Sequence, residues 1–263
     1  MATLLSTAVL PDAPPTRRPA VPAELTGLVR RASELRRTTS HGRDRTPTLP
    51  ALDGLLGGGL PGGALVEVVG RASCGRLALL LAALAAVTGA GEPVALVDLG
   101  DGLDPQAAAA AGVDLERLLW LRPCRLDDTL SAAEMLVDTG FPLVALDLGL
   151  PPVRGRAPLA AWLRLARGAG ARRATVLIST PYRLSGCAAE AVVVARRGRG
   201  AWSGARGTRR LLDGLGLNLV AVKRRGERPE ATAAALLLHP DVRRPEPAHA
   251  GIPAARPTEV RHA

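Results

Sequence analysis

The sequence predicts an α/β fold in which a mostly parallel sheet is covered by helices on both faces and extended by antiparallel strands at its C-terminal end. Three observations carry this prediction. Short apolar runs alternate with segments of helical period between residues 50 and 180. The runs are apolar at almost every position, as in strands buried on both faces. After residue 190, apolar runs follow one another with little helix between them.

The first part of the core alternates strand and helix, and this βαβα order implies parallel pairing. Strands are predicted at Leu65–Val69, Val94–Leu99, Leu118–Leu121, Leu143–Leu148 and Thr175–Ser179. Helices are predicted at Gly75–Thr88, Asp104–Ala111, Asp127–Asp138 (with Asp127 or Asp128 as N-cap) and Leu159–Gly168. The later strands are predicted at Ala191–Ala195, Arg209–Leu212, Leu217–Lys223 and Ala233–Leu238.

Three regions differ in composition. Residues 1–48 are predicted to be a disordered N-terminus that contains an amphipathic helix at Val21–Arg37 and a polar linker. The core spans 49–240, and residues 241–263 form a basic tail predicted to be disordered. Two interpretations of the Val21–Arg37 segment remain open: a surface helix packed on its own domain, or a docking arm for another chain.

The chain is strongly basic, with a formal net charge of +10 and a pI of about 11.2. Such a charge favours polyanions such as nucleic acid, an anionic membrane face or an acidic partner. Lys223 is the only lysine, so the positive charge comes almost entirely from arginines. Because a GC-rich genome also produces arginine at the expense of lysine, codon bias is the competing explanation for the charge.

Three cysteines, Cys74, Cys124 and Cys187, lie far apart and form no C-x-x-C pair. This arrangement predicts neither a disulfide framework nor a zinc site, and it fits a reducing compartment. The N-terminus lacks the basic start of a signal peptide, and the apolar run Leu77–Val87 is too short to span a bilayer. We therefore expect a cytoplasmic protein without a metal site.

A phosphate-binding loop is indicated by the segment GRASCGRL at Gly70–Leu77, which follows a predicted strand and opens a predicted helix. The two glycines have the spacing of the motif G-x-x-x-x-G-K-[ST], but Arg76 and Leu77 replace the lysine and the hydroxyl residue. The candidate nucleotide-binding residues of this loop are Gly70, Ser73, Cys74, Gly75 and Arg76.

The stretch from Ala51 to Leu119 resembles bacterial RecA recombinases almost continuously. The segments that carry the resemblance are LDGLLGGGLPGGALVEVVG at Leu52–Gly70, VALVDLGDGLDP at Val94–Pro105, AGVDLERLL at Ala111–Leu119 and VALDLG at Val144–Gly149. The resemblance covers about the central half of the chain and fades after residue 180. It implies a RecA-like P-loop core, with Asp147 at the end of the Walker B strand as the sixth candidate nucleotide-binding residue.

The resemblance also shows what is altered. RecA proteins carry a glutamate after the second core strand that orients the attacking water, and Gly100 stands at the matching position, beside Asp101. Leu77 has no hydroxyl for Mg²⁺, and Arg76 does not have the shape of the lysine that it replaces. These changes predict a noncatalytic protein without a bound cofactor. Either the loop is a relic in which Arg76 pairs with Asp147, or it still binds ATP without turnover.

A Gly/Arg-rich stretch, RRGRGAWSGARGTRR, lies at Arg196–Arg210. RecA proteins carry DNA-binding loops in the corresponding region, where arginines neutralise phosphates and an aromatic ring stacks on an unpaired base. The alternative is a solvated hairpin whose tryptophan covers the sheet edge. The candidate DNA-binding residues are Trp202, Arg206, Arg209 and Arg210.

A RecA-like core with an altered P-loop, a short chain and a divergent C-terminal half resembles the ImuA proteins of bacterial mutagenesis cassettes. This resemblance implies an accessory role in the DNA-damage (SOS) response, in error-prone translesion synthesis. The implied partners are RecA, translesion polymerase subunits of the ImuB type and single-stranded DNA. Two alternatives remain open: an active DNA-dependent ATPase or recombinase, and a SulA-like regulator of cell division.

Overall fold

The computed structural model describes residues 45–155, 157–204, 209–226 and 232–238. The strands of this part are β1 (Arg45–Thr46), β2 (Leu60–Pro61), β3 (Ala64–Val69), β4 (Val94–Asp98), β5 (Leu118–Leu121), β6 (Leu143–Asp147), β7 (Thr175–Thr180), β8 (Ala191–Ser203), β9 (Leu211–Arg224) and β10 (Thr232–Leu238). Its α-helices are α1 (Pro50–Leu56), α2 (Arg76–Gly89), α3 (Pro105–Ala110), α4 (Leu126–Thr139) and α5 (Leu159–Arg172).

Eight of the strands form one sheet in the order β10-β9-β8-β3-β7-β6-β4-β5, and β1 pairs with β2 in a separate antiparallel ribbon. The six strands from β8 to β5 run parallel, whereas β9 and β10 are antiparallel to their neighbours. The predicted fold class is therefore confirmed. One detail differs, because β8 joins the parallel part through its pairing with β3 before β9 turns back along it.

The sheet is buried on both faces. On one face, α1 and α2 contribute to a core of aliphatic side chains that includes Leu52, Leu79 and Leu84. On the other face, α4 and α5 pack over a second core around Trp162 and Leu165, which are 1% and 0% exposed. This burial explains why β3, β4 and β6 are apolar at almost every position, and β7 is likewise buried along its whole length.

Two local predictions are wrong. The helix α4 begins at Leu126 after Arg125, and Asp127 and Asp128 lie in its first turn without capping it. Arg125 still orients the helix start, because its Nε donates to Asp127 at 3.1 Å. The second error concerns the strands predicted at 209–212 and 217–223, which form the single long strand β9.

Close backbone contact explains why glycines do not interrupt the β8–β9 hairpin. A Cβ atom on Gly216 would lie 2.5 Å from the carbonyl oxygen of Arg199, and one on Gly198 would lie 2.7 Å from the carbonyl carbon of Gly216. The pairing shifts register between Arg197 and Gly200 at this point. These glycines therefore permit an irregular but continuous hairpin. A prediction that treats glycine as a turn signal splits the same segment into two short strands.

The predicted helix at Val21–Arg37, the tail at 241–263 and Arg206 lie outside the described residues. No helix within the described ranges is long and apolar enough to cross a membrane.

Candidate functional site

The loop between β3 and α2 keeps the backbone shape of a phosphate-binding loop. Ser73 and Gly75 adopt left-handed conformations, with φ of 56° and 88°. A Cβ atom on Gly70 would lie 2.6 Å from the carbonyl oxygen of Ala195 and 2.4 Å from Sγ of Cys74. Cys74 is itself buried beneath the loop. Gly70 and Gly75 are therefore required by the path of the chain, whatever the loop binds.

Arg76 is the first residue of α2 and is only 7% exposed. Its Nη1 donates to Oγ of Ser179 at 2.8 Å, and its Nη2 donates to the carbonyl oxygen of Gly149 at 2.9 Å. Nη1 also lies 4.0 Å from Oδ1 of Asp147. The guanidinium thus joins the start of α2 to the ends of β6 and β7.

Asp147 ends β6 and is buried beside this guanidinium. Burial raises the pKa of its carboxyl above the usual value, because removal from water penalises the charged form. The hydrogen bond with Ser179 and the charge of Arg76 act in the opposite direction. Asp147, Arg76 and Ser179 therefore form one buried polar cluster at the strand ends.

These residues do not fit a magnesium nucleotide bound in the usual P-loop manner. The fork of Arg76 is engaged with Ser179 and Gly149 rather than free to reach a phosphate. Its Nε is buried without a hydrogen-bond partner among the described atoms. Leu77 lines the loop cavity at the position where a hydroxyl would bind the metal ion. The relic interpretation includes this approach of Arg76 to Asp147, and it stays a prediction.

The position that matches the water-orienting glutamate is closed by backbone. Gly100 follows β4, and a Cβ atom on it would lie 2.5 Å from Cα of Gly149. The neighbouring Asp101 does not replace the missing carboxylate, since its Oδ1 accepts a hydrogen bond of 2.7 Å from Nε of Arg122. Asp98 is buried and accepts hydrogen bonds from the backbone N–H groups of Gly102 and Leu103, at 3.1 and 3.0 Å.

The structure brings the six candidate nucleotide-binding residues to one end of the sheet. All of them except Gly70 line a cavity of about 520 Å³ above the strand ends. Gly70 lies at the base of the loop, where its N–H donates to the carbonyl oxygen of Thr180 at 3.1 Å. Ser179, which is fully buried and holds Arg76, was not among the predicted site residues. Its place at the end of a predicted strand was the available signal.

The three described candidate DNA-binding residues, Trp202, Arg209 and Arg210, lie at the far end of the β8–β9 hairpin. Trp202 is 49% exposed, and the guanidinium of Arg210 lies 6.0 Å from the centre of its ring. Arg209 is also exposed. The sequence analysis missed two exposed apolar neighbours, Leu211 and Leu212, which are 74% and 47% exposed. The tip therefore combines cationic and apolar side chains.

Trp162, Trp120 and Tyr182 make their contacts within the fold. Trp162 lies in the core, and Trp120 on the edge strand β5 is partly buried, with the guanidinium of Arg122 5.1 Å from its ring centre. Tyr182 is exposed, and its hydroxyl accepts a hydrogen bond from the N–H of Val153 at 3.3 Å. Within the described ranges, no group of His, Cys, Asp and Glu side chains has the arrangement of a metal site.

Comparison with known proteins also relates this chain to RecA. Residues 45–148 match the RecA N-terminal domain family. The RecA protein of Picosynechococcus sp. is 37% identical over 108 residues, which cover 39% of this chain and 31% of that protein. The RecA protein of Streptomyces avermitilis is 44% identical over 99 residues, or 37% of this chain and 25% of that protein. The chain thus matches about a third or less of the length of these relatives, and its core is RecA-like.

Proposed function

We propose that this chain is a noncatalytic RecA-like accessory protein of the bacterial DNA-damage (SOS) response. In this role it supports error-prone translesion DNA synthesis by binding RecA and polymerase subunits. The observation that carries the proposal is the placement of Arg76, whose guanidinium is hydrogen bonded to Ser179 and Gly149 at the strand ends. Because these contacts within the chain hold Arg76, the site keeps its shape without a bound nucleotide.

Loss of hydrolysis is supported at three separate positions. Arg76 replaces the P-loop lysine, Leu77 offers no ligand to Mg²⁺, and Gly100 leaves no room for a carboxylate that orients water. Phosphoryl transfer depends on positioning and on neutralisation of charge, so each change weakens the reaction independently. A RecA-like core without these groups retains surfaces for binding other molecules.

Contact with single-stranded DNA is supported by the exposed hairpin tip. Trp202 offers a ring for base stacking, while Arg209 and Arg210 offer charge to phosphates. The specific role in translesion synthesis follows from the resemblance to ImuA proteins. That resemblance combines a RecA-like core with an altered P-loop.

The first experiment measures ATP turnover by the purified chain with and without single-stranded DNA. We expect none above background in either condition. The variant Arg76→Lys/Leu77→Thr, which restores the motif residues, is measured beside it. DNA-stimulated turnover by the wild-type chain would overturn the noncatalytic proposal.

The second experiment tests the partners by pull-down with purified RecA, translesion polymerase subunits and cell-division proteins. We expect retention of RecA or of the polymerase subunits. Retention of the division proteins alone would favour the regulator of cell division instead.

A further inference from the structure

A second cleft lies on the other side of the phosphate-binding loop, between the loop and β8. It has a volume of about 400 Å³, within the range of small-ligand sites. Half of its lining residues are arginines, and no acidic residue lines it. The lining residues are Arg71, Ala72, Cys74, Ala195, Arg196 and Arg197.

The cleft exists because β8 continues past the end of its neighbour. Pairing between β3 and β8 ends at Val69 and Val194, after which β3 turns into the loop at Gly70. The edge of β8 that faced β3 is therefore no longer paired with it from Ala195 onward. Ala72 of the loop and Ala195 of β8 both contribute to its lining.

The three arginines of the cleft are not neutralised within the described part of the chain. Arg71, Arg196 and Arg197 are exposed, and each described ion pair involves other arginines. Arg196 and Arg197 are consecutive in β8, so their side chains leave opposite faces of the strand and place positive charge on both sides of the cleft. Together with Arg71 they give the cleft a positive potential, with mutual repulsion among the like charges. A bound anion relieves this repulsion, and guanidinium groups match phosphate oxygens in a bidentate manner.

We propose that Arg71, Arg196 and Arg197 form a binding site for phosphate groups that adjoins the degenerate nucleotide site across the loop, with Arg71 shared between them, and that lies apart from the hairpin tip. The phosphate belongs either to the backbone of a single-stranded nucleic acid or to a free phosphate compound. Binding here needs neither Arg76 nor hydrolysis, so the inference stands independently of the noncatalytic role.

The test compares the full chain with the variant Arg71→Gln/Arg196→Gln/Arg197→Gln. A matched control, Arg117→Gln/Arg125→Gln/Arg164→Gln, removes the same charge at exposed sites elsewhere. Fluorescence anisotropy with a labelled oligothymidylate and calorimetry with pyrophosphate give the affinities. We expect the cleft variant to lose roughly tenfold or more in affinity, and the control to lose much less.

Salt dependence and the choice of probe separate the two phosphate sources. If both probes lose affinity, the site accepts free phosphate compounds, whereas loss with the oligonucleotide alone identifies a nucleic-acid backbone site. In the latter case the slope of log affinity against log salt decreases by about 2, since each single-strand contact contributes about 0.7. Equal behaviour of the cleft variant and the control would overturn the proposal. If the triple variant does not fold, Arg71→Gln against Arg117→Gln supplies the same comparison.

Discussion

Gly100 and Gly149 lie in direct backbone contact, so that a Cβ atom built on either would lie 2.5 Å from Cα of the other. The loops after β4 and β6 thus meet where a water-orienting carboxylate would have to stand. We predict that Gly100→Ala lowers the free energy of unfolding by about 1–3 kcal/mol, the usual cost of overpacking. Gly100→Glu is expected to cost more and to restore no ATP turnover.

The control for this prediction is Gly102→Ala in the same loop. A Cβ atom on Gly102 lies 3.4 Å from Oδ2 of Asp147, which is ordinary contact. Urea unfolding of both alanine variants gives the comparison. Equal stability of the Gly100 and Gly102 variants would show that the backbone contact relaxes at little cost.

The buried carboxyl of Asp147 predicts a dependence of stability on pH. Its pKa is raised from 3.8, mainly by burial, so the folded state holds this proton more tightly than the unfolded state. The stabilising contribution is present below the unfolded pKa and is lost as pH rises through the raised folded pKa. We expect the wild type to lose stability relative to Asp147→Asn as pH rises above the ordinary carboxyl range.

The measurement is the free energy of unfolding of both proteins in urea at several pH values. Asp138→Asn, at an exposed position on α4, controls for the general loss of a negative charge. A constant difference between wild type and Asp147→Asn at all pH values would contradict the prediction.

Lys223 on β9 holds the loop before β8. Its Nζ donates to the carbonyl oxygens of Gly186, Cys187 and Ala189. Burial, followed by repulsion from Arg225 and Arg183, lowers its pKa. An ammonium group has three donors that match three converging acceptors, whereas the planar guanidinium does not. Lys223→Arg is therefore expected to cost about 1–2 kcal/mol of stability.

Arg225→Lys is the matched control, since this residue makes one long hydrogen bond of 3.4 Å to the same loop. It is expected to change stability by less than about 0.5 kcal/mol. Thermal and urea unfolding measure both effects. A neutral Lys223→Arg variant would mean that the only lysine of the chain has no geometric role.

The hairpin tip gives a prediction about DNA. Trp202 pairs across the hairpin with Leu212, and both are exposed. Trp202→Ala should weaken binding of single-stranded DNA by about 1–3 kcal/mol, the contribution of one stacked base. Leu212→Ala removes apolar surface without removing a π face, so it is expected to leave the affinity nearly unchanged. Equal losses of DNA affinity in the two variants would indicate that the tip binds DNA by apolar packing rather than by base stacking.

Sequence reasoning was most successful where period and burial coincide. The apolar runs of β4, β6 and β7 and the helical period of α2 predicted those elements to within one or two residues. It was least successful where one contact decides the outcome. The ribbon of β1 with β2 and the helix α1 were not predicted, and Asp53 of α1 links them through its carboxylate, which accepts from the N–H of Thr48 at 2.8 Å. Such a contact has no periodic signature.

The same distinction applies to the site. The spacing of Gly70 and Gly75 predicted the loop, and the resemblance to RecA proteins predicted Asp147 as its acidic partner. The direction of the Arg76 side chain toward Ser179 depends on residues 103 positions apart and has no local signal. The cleft beside β8 was also unpredictable, because it depends on where the pairing of β3 stops.

The positions of the three tryptophans have an optical consequence. Trp162 is buried in the core with its indole N–H unpartnered among the described atoms, whereas Trp202 stands at the hairpin tip and Trp120 on the edge strand. Emission from the buried indole is expected at shorter wavelength than emission from the exposed one. The long-wavelength part of the spectrum would then follow events at the hairpin, and the short-wavelength part would follow unfolding. Quenching by iodide separates the two signals, and the unmodified chain thereby serves as its own spectroscopic probe.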